Sequence, residues 1–198
     1  ILTEAKKRNL IEININYSEA DNIELEKNIE QKFDLKEAVI VSGNESENVT
    51  FNQVTEKAAD FLIEKLNDSD MLGISWGRTI SSIAENINNN DLNIKIIQLL
   101  GDIGANISAN SIVRRLSNKL NCEYIPLPAP AVVDSKDIKK ALISDSSINN
   151  VLSQFSKINI ALVGIGDLSK KSSFYRSGYL NYEDLKNLQE QGAVGDIC

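Results

Sequence analysis

The chain has 198 residues, 42% of them hydrophobic, with 21 Lys and Arg against 28 Asp and Glu for a formal charge of −7, and no histidine. A chain of this length buries most of its surface around one core, so residues 1–198 read as one globular domain needing neither disulfide nor structural metal, and Cys122 and Cys198 fit no zinc or redox spacing. The missing histidine counts against Ser-His-Asp, Cys-His and histidine-zinc chemistry, and the acidic balance counts against nucleic acid binding by this chain alone.

In chain order, the lone basic run Lys6–Arg8 reads as a solvated face, and Ile11–Ile15 as a first strand. A helix is predicted near Glu19–Lys32, then a strand at Glu37–Val41. Over Thr50–Leu66 the apolar period puts Val54, Ala58, Phe61, Leu62 and Leu66 on one helical face, with Thr50 as N-cap. Strands follow at Met71–Ile74, Ile94–Leu100, Glu123–Pro126 and Ile158–Gly164. Helices are predicted near Thr79–Asn88, Ser111–Leu120, Lys136–Ile143, Ile148–Ser156 and Glu183–Gln191, and the Asn-rich stretch Asn86–Asn93 reads as a helix end and turn. Strands alternating with helices imply an α/β fold, a doubly wound and mostly parallel sheet. No apolar run reaches the roughly 18 to 20 residues of a membrane span and no leader is evident, so the expected location is the cytoplasm.

Ligands of such sheets sit beyond the carboxyl ends of the strands, which directs attention to four loops. The first, L-G-I-S-W-G-R-T-I at 72–80, has the parts of a phosphate cradle: Gly77 for close backbone approach, the unpaired amides of a helix start, the hydroxyls of Ser75 and Thr79, and the Arg78 guanidinium. A tight turn with a capping Ser is the alternative, and the segment is neither a Walker A loop nor a dinucleotide fingerprint. In the second, residues 99–110, Gly101 and Gly104 make a sharp exit and Asn110 is a cap or a ligand contact. The third, L-P-A-P-A-V-V-D at 127–134, is an extended wall with Asp134 as N-cap or contact. The fourth, V-G-I-G-D-L at 163–168, leads to Arg176, a ligand contact or a surface charge. Trp76 either walls the pocket or packs the interior, and Asp196 suits either sugar hydroxyls or a local turn.

With these residues in hand, the chain resembles the effector-binding domain of the SorC family of bacterial sugar-responsive transcriptional regulators. The likeness runs over essentially all of its length and rests on L-G-I-S-W-G-R-T at 72–79, Q-L-L-G-D-I-G at 98–104, A-N-S-I-V-R-R-L at 109–116, L-P-A-P-A-V-V-D-S at 127–135, A-L-V-G-I-G at 161–166, S-G-Y-L at 177–180 and G-A-V-G-D-I-C at 192–198. The resemblance implies a fold like that of glucosamine-6-phosphate deaminases and ribose-5-phosphate isomerases, used to sense a phosphorylated sugar. It implies no catalytic residue, metal or cofactor. Ser75, Gly77, Arg78 and Thr79 would meet the phosphate, and Gly101, Asn110, Arg176 and Asp196 the rest of the effector. It further implies a homodimer or homotetramer, and DNA contact through an N-terminal helix-turn-helix that this sequence does not contain.

Against the family pattern, the sequence opens after the expected helix-turn-helix and stops at G-D-I-C, where family members continue, so both ends read as cut. Asp102 stands where the family favours glycine, and its carboxylate is expected to point outward, away from a phosphate. The rival readings are a phosphosugar isomerase or deaminase on the same fold, and a structural or oligomerisation module whose glycine loops are turns only.

Overall fold

The computed structural model describes residues 17–43, 46–102 and 108–197, and the expected strand Ile11–Ile15 lies outside them. The chain divides between Val54 and Thr55 into two compact units.

In the first unit, helix α1 (Tyr17–Phe33) is followed by residues 37–43, where a strand was predicted at Glu37–Val41 and where, among the described residues, no ladder pairing is made. Their backbone is held by helix side chains instead. Glu30 accepts the N–H of Ala38 at 2.8 Å, Glu26 accepts that of Ile40 at 2.7 Å, and the Asn22 amide donates to the Ile40 carbonyl at 3.3 Å and to the Ser42 hydroxyl at 3.0 Å. The fit is geometric: four helical residues rise about 6 Å, close to the roughly 6.6 Å covered by two residues of extended chain. Glu30 and Glu26, four residues apart, therefore meet N–H groups two residues apart, and Asn22 meets the carbonyl just beyond.

Helix α2 spans Glu47–Lys65 and buries Thr55, Ala59 and Leu62, with Leu66 just beyond it. The predicted apolar face is one residue out of register at its start: Val54 is exposed, and Thr50 lies inside the helix rather than capping it. The buried stripe contains a polar residue, Thr55, whose hydroxyl accepts from the Asn86 side-chain amide at 2.9 Å, so an apolar count alone misplaces it.

The second unit is built on a parallel four-stranded sheet in the order β3-β2-β1-β4, with β1 at Met71–Ile74, β2 at Lys95–Gln98, β3 at Glu123–Ile125 and β4 at Ile160–Leu162. The registers pair Leu72 with both Ile96 and Ile160, and Ile96 with Tyr124. Helices α3 (Arg78–Asn86) and α4 (Ala109–Leu120) make the crossovers from β1 to β2 and from β2 to β3. With α2 they cover one face, where Leu72, Ile74, Ile96, Ile80, Ile83, Ile112 and Leu116 interlock. Met71 and Ile97 project to the other face and pack against Leu127, Ile148 and Val151, the last two from α6 (Ser146–Leu152). Helices on both faces make this the doubly wound α/β sheet expected. Leu72, Ile74, Ile96 and Ile97 are fully buried, and each such side chain contributes about 1.5 to 3 kcal/mol.

Two helix starts differ from the sequence expectation by one or two residues. Ser108, not Asn110, caps α4 by accepting the Ser111 N–H at 3.1 Å, and Ser135, not Asp134, caps α5 (Lys136–Ser144) by accepting that of Ile138 at 3.2 Å. Residues 127–134 are neither helix nor ladder strand, as expected, but they are not the extended wall predicted: the Ala129 N–H donates to the Leu127 carbonyl at 2.8 Å, a tight turn, and bends follow at Ala131 and Asp134. Gln98, fully buried, secures the start of this loop: its side-chain oxygen accepts the Leu127 N–H at 3.3 Å while its amide donates to the Leu100 carbonyl at 2.6 Å. After a 3-10 turn at Ser153–Lys157, β4 leads into β5 (Ile165–Asp167), α7 (Ser173–Arg176), α8 (Tyr182–Glu190) and β6 (Gly195–Ile197). Strands β5 and β6 form a separate antiparallel pair that sequence reading does not reveal.

Candidate functional site

The sheet order reverses at β1: the chain steps from β1 to β2 to β3 on one side, then returns to lay β4 on the other. Loops leaving β1 and β4 at their carboxyl ends must diverge, and a crevice opens between them, as in other open α/β sheets. A hydrogen bond from the Ser75 N–H to the Leu162 carbonyl, 3.1 Å, closes its base. Above it lies a cavity of about 410 Å³, walled by residues 76–80 after β1, residues 164–167 after β4, Lys171, Ser172, Ser173 and Arg176 around α7, and Asp196 of β6.

The β1 side is a helix start without a side-chain cap. Gly77 occupies the N-cap position at φ 125°, ψ 166°, where only glycine is comfortable and where no side chain can close over the first amides. The N–H groups of the first helical turn, with the partial positive charge of the helix end, are thus presented together with the exposed side chains of Arg78 and Thr79. Trp76, only 6% exposed, does both things considered for it: it packs in the core and forms part of the wall.

The β4 side is shaped by the β5–β6 pair. Gly166 stands opposite Asp196, and a Cβ on Gly166 would overlap the Asp196 carboxylate, so the glycine makes room for that side chain at the cavity. Gly195 is equally constrained, since a Cβ there would meet the Gly166 carbonyl oxygen at 2.6 Å. Three cations, Arg78, Lys171 and Arg176, and two carboxylates, Asp167 and Asp196, line one cavity of a chain whose net charge is negative.

Of the eight residues singled out from the sequence, Gly77, Arg78, Thr79, Arg176 and Asp196 come together in this wall. Ser75 lies beneath it, 1% exposed, with a buried hydroxyl that has no hydrogen-bond partner among the described residues. Gly101 and Asn110 are outside the wall. A Cβ on Gly101 would overlap the backbone of Ala129 and Pro130, so this glycine allows the second and third loops to touch, and Asp102 bridges to the same segment through bonds with Ala129 and Ala131 of 2.9 and 3.0 Å. The Asp102 side chain is exposed, as expected, near the start of α4, where its carboxylate is 3.5 Å from the Asn110 N–H. Asp167 and Lys171 were not found by sequence reading. The polar run following G-I-G was the available signal.

A loop-built, cation-bearing cavity at the reversal point of a doubly wound sheet defines a small-molecule binding domain, and comparison with known proteins gives its family. Residues 18–198 match the family model "Putative sugar-binding domain". The chain belongs to this sugar-binding domain family of SorC-type transcriptional regulators. It is 28% identical over 203 residues to the deoxyribonucleoside regulator of Bacillus subtilis and 25% identical over 205 residues to the sorbitol operon regulator of Klebsiella pneumoniae; each match takes in all of this chain but only 64% and 65% of the relative. Among solved structures, a DeoR family transcriptional regulator from Listeria monocytogenes superposes with a TM-score of 0.82 at 32% identity, covering 88% of this chain and 70% of that one. The full-length sorbitol operon regulator SorC of K. pneumoniae gives 0.83 at 25% identity, covering 100% and 66%. Among the described residues no helix is long and apolar enough to cross a membrane.

Proposed function

We propose that this chain is the effector-sensing domain of a cytoplasmic bacterial transcriptional regulator and that its effector is a phosphorylated sugar or sugar-derived metabolite. The observation carrying the reading is the uncapped start of α3, where Gly77, Arg78 and Thr79 face the same cavity as Arg176 and Asp196. Amides and a guanidinium suit a phosphate dianion, while a carboxylate beside them suits sugar hydroxyls. Ser75, buried behind the loop, steadies the turn and offers its free hydroxyl to a ligand or a water. Sensing rather than turnover is supported by the relatives, which are named as regulators. DNA contact falls to a part of the regulator outside this domain, and effector binding acts by favouring one arrangement of a dimer or tetramer over another.

A thermal-shift panel of sugar phosphates, the parent sugars and sulfate tests the reading. At about 100 times Kd a true effector stabilises the fold by roughly 2.7 kcal/mol. For a domain of this size that raises Tm by about 5 to 10 °C. No response to any sugar phosphate rejects the proposal. Aldose–ketose interconversion or ammonia release at tens of turnovers per second would replace the sensor with an isomerase or deaminase.

A further inference from the structure

Beyond the Arg78 side of the cavity, where the phosphate is placed above, two further cations stand on the opposite wall. Lys171 and Arg176 both line it, and among the described residues neither forms an ion pair, although Asp167 and Asp196 line the same space. Two cations that one short segment brings to one cavity, neither of them engaged by a carboxylate, favour an anion placed between them.

Lys171 is also on a built turn. The carbonyl of Leu168 accepts from the Gln189 side chain of α8 at 2.8 Å, and Ser169 accepts the N–H groups of Lys171, through its hydroxyl at 3.0 Å, and of Ser172, through its carbonyl at 3.0 Å. Ser172 is buried and caps the Tyr175 N–H. The neighbouring lysines have separate places: Lys170 lies 4.3 Å from the centre of the Tyr182 ring on α8, while Lys171 faces the cavity. Pinning through Leu168, Lys170 and Ser172 reduces the freedom lost when the Lys171 ammonium engages a ligand.

We infer that Lys171, beside Arg176, forms a second anion subsite and selects effectors carrying two anionic groups, such as a sugar bisphosphate or a phosphorylated sugar acid, over those carrying one. The inference rests on the sugar-phosphate reading of the cavity and extends it from phosphate recognition to discrimination by charge number.

The test is calorimetric titration of the full chain with matched pentose and hexose monophosphates, 1,5- or 1,6-bisphosphates and phosphorylated sugar acids, repeated with Lys171→Gln and with Lys157→Gln. Lys157 ends the 3-10 turn before β4, at the opposite end of the sheet, and controls for net charge. The expected result is at least one doubly anionic sugar bound about tenfold more tightly than its monophosphate, an advantage that Lys171→Gln removes and Lys157→Gln retains. Monophosphates bound as tightly as their doubly charged partners, with Lys171→Gln indistinguishable from the parent, overturn the subsite and leave the sugar-phosphate reading standing. An equal loss in both variants attributes the preference to long-range charge and overturns it too. If nothing in the panel binds, the underlying reading fails along with it.

Discussion

The Asp196 carboxylate lies where a side chain on Gly166 would otherwise be, the two residues facing each other across the β5–β6 pair. One glycine thereby decides whether an acid stands at the cavity. Gly166→Val displaces that carboxylate, and Asp196→Ala removes it. Each is expected to weaken effector binding about tenfold, and because both act on one group the double variant should lose little more than either alone. Titration calorimetry on the three proteins reads this directly. Additive losses would show that Gly166 and Asp196 contribute separately.

On the proposed sugar-phosphate reading, Arg78→Ala should cost about 1.5 to 3 kcal/mol of binding through lost charge-assisted bonds, and Thr79→Ala about 0.5 to 1.5 kcal/mol. Neither side chain is buried, so melting of the free protein should stay within about 2 °C of the parent, as for other exposed substitutions. Undiminished affinity for the sugar phosphate in Arg78→Ala would move the phosphate elsewhere in the cavity.

Gly77→Ala tests the backbone. No atom obstructs a Cβ at this position, so the cost arises from φ 125° alone. A non-glycine residue held there is strained by about 1 to 3 kcal/mol. Tm should fall by about 2 to 4 °C per kcal/mol, together with effector affinity, since relaxing the strain rotates the first amides of α3. A variant that melts and binds like the parent would show that this turn has a freedom the observed geometry does not use.

Burial pushes the Cys122 thiol up to about 11 from an ordinary 9.0. The folded state therefore holds the proton more tightly than the unfolded state does, and stability is full below pH 9 and declines as pH rises toward 11. On a Cys198→Ser background, Cys122 should react with a thiol reagent at pH 8 far more slowly than free cysteine, and Cys122→Ala should flatten the alkaline fall in Tm. Labelling as fast as free cysteine would contradict the burial.

The sheet was legible where side chains alone carry the signal. Met71–Ile74 is a short apolar run with both faces covered, and its bounds match the expectation. Legibility failed where partners distant in sequence decide. Strands β5 and β6 have three residues each and exist because Gly166 and Gly195 permit close pairing, which no local period reveals. Neighbouring residues of similar capping chemistry competed at α4 and α5, and the tertiary path selected Ser108 and Ser135 over Asn110 and Asp134. Within the site, the glycine-to-helix chemistry of Gly77, Arg78 and Thr79 was readable locally. The inclusion of Lys171 and Asp167 depends on where the segment after β4 is folded back, and was not.

Met71 and Asn159, joined by a hydrogen bond, are 88 positions apart, so the pairing of β1 with β4 closes a very large loop. A nascent polypeptide released only as far as β3 has the α3 turn but nothing facing it. The pocket accordingly exists only once this remote contact has closed, at the entropic cost of a long loop, and a metabolite that occupies it also rewards completion of the fold.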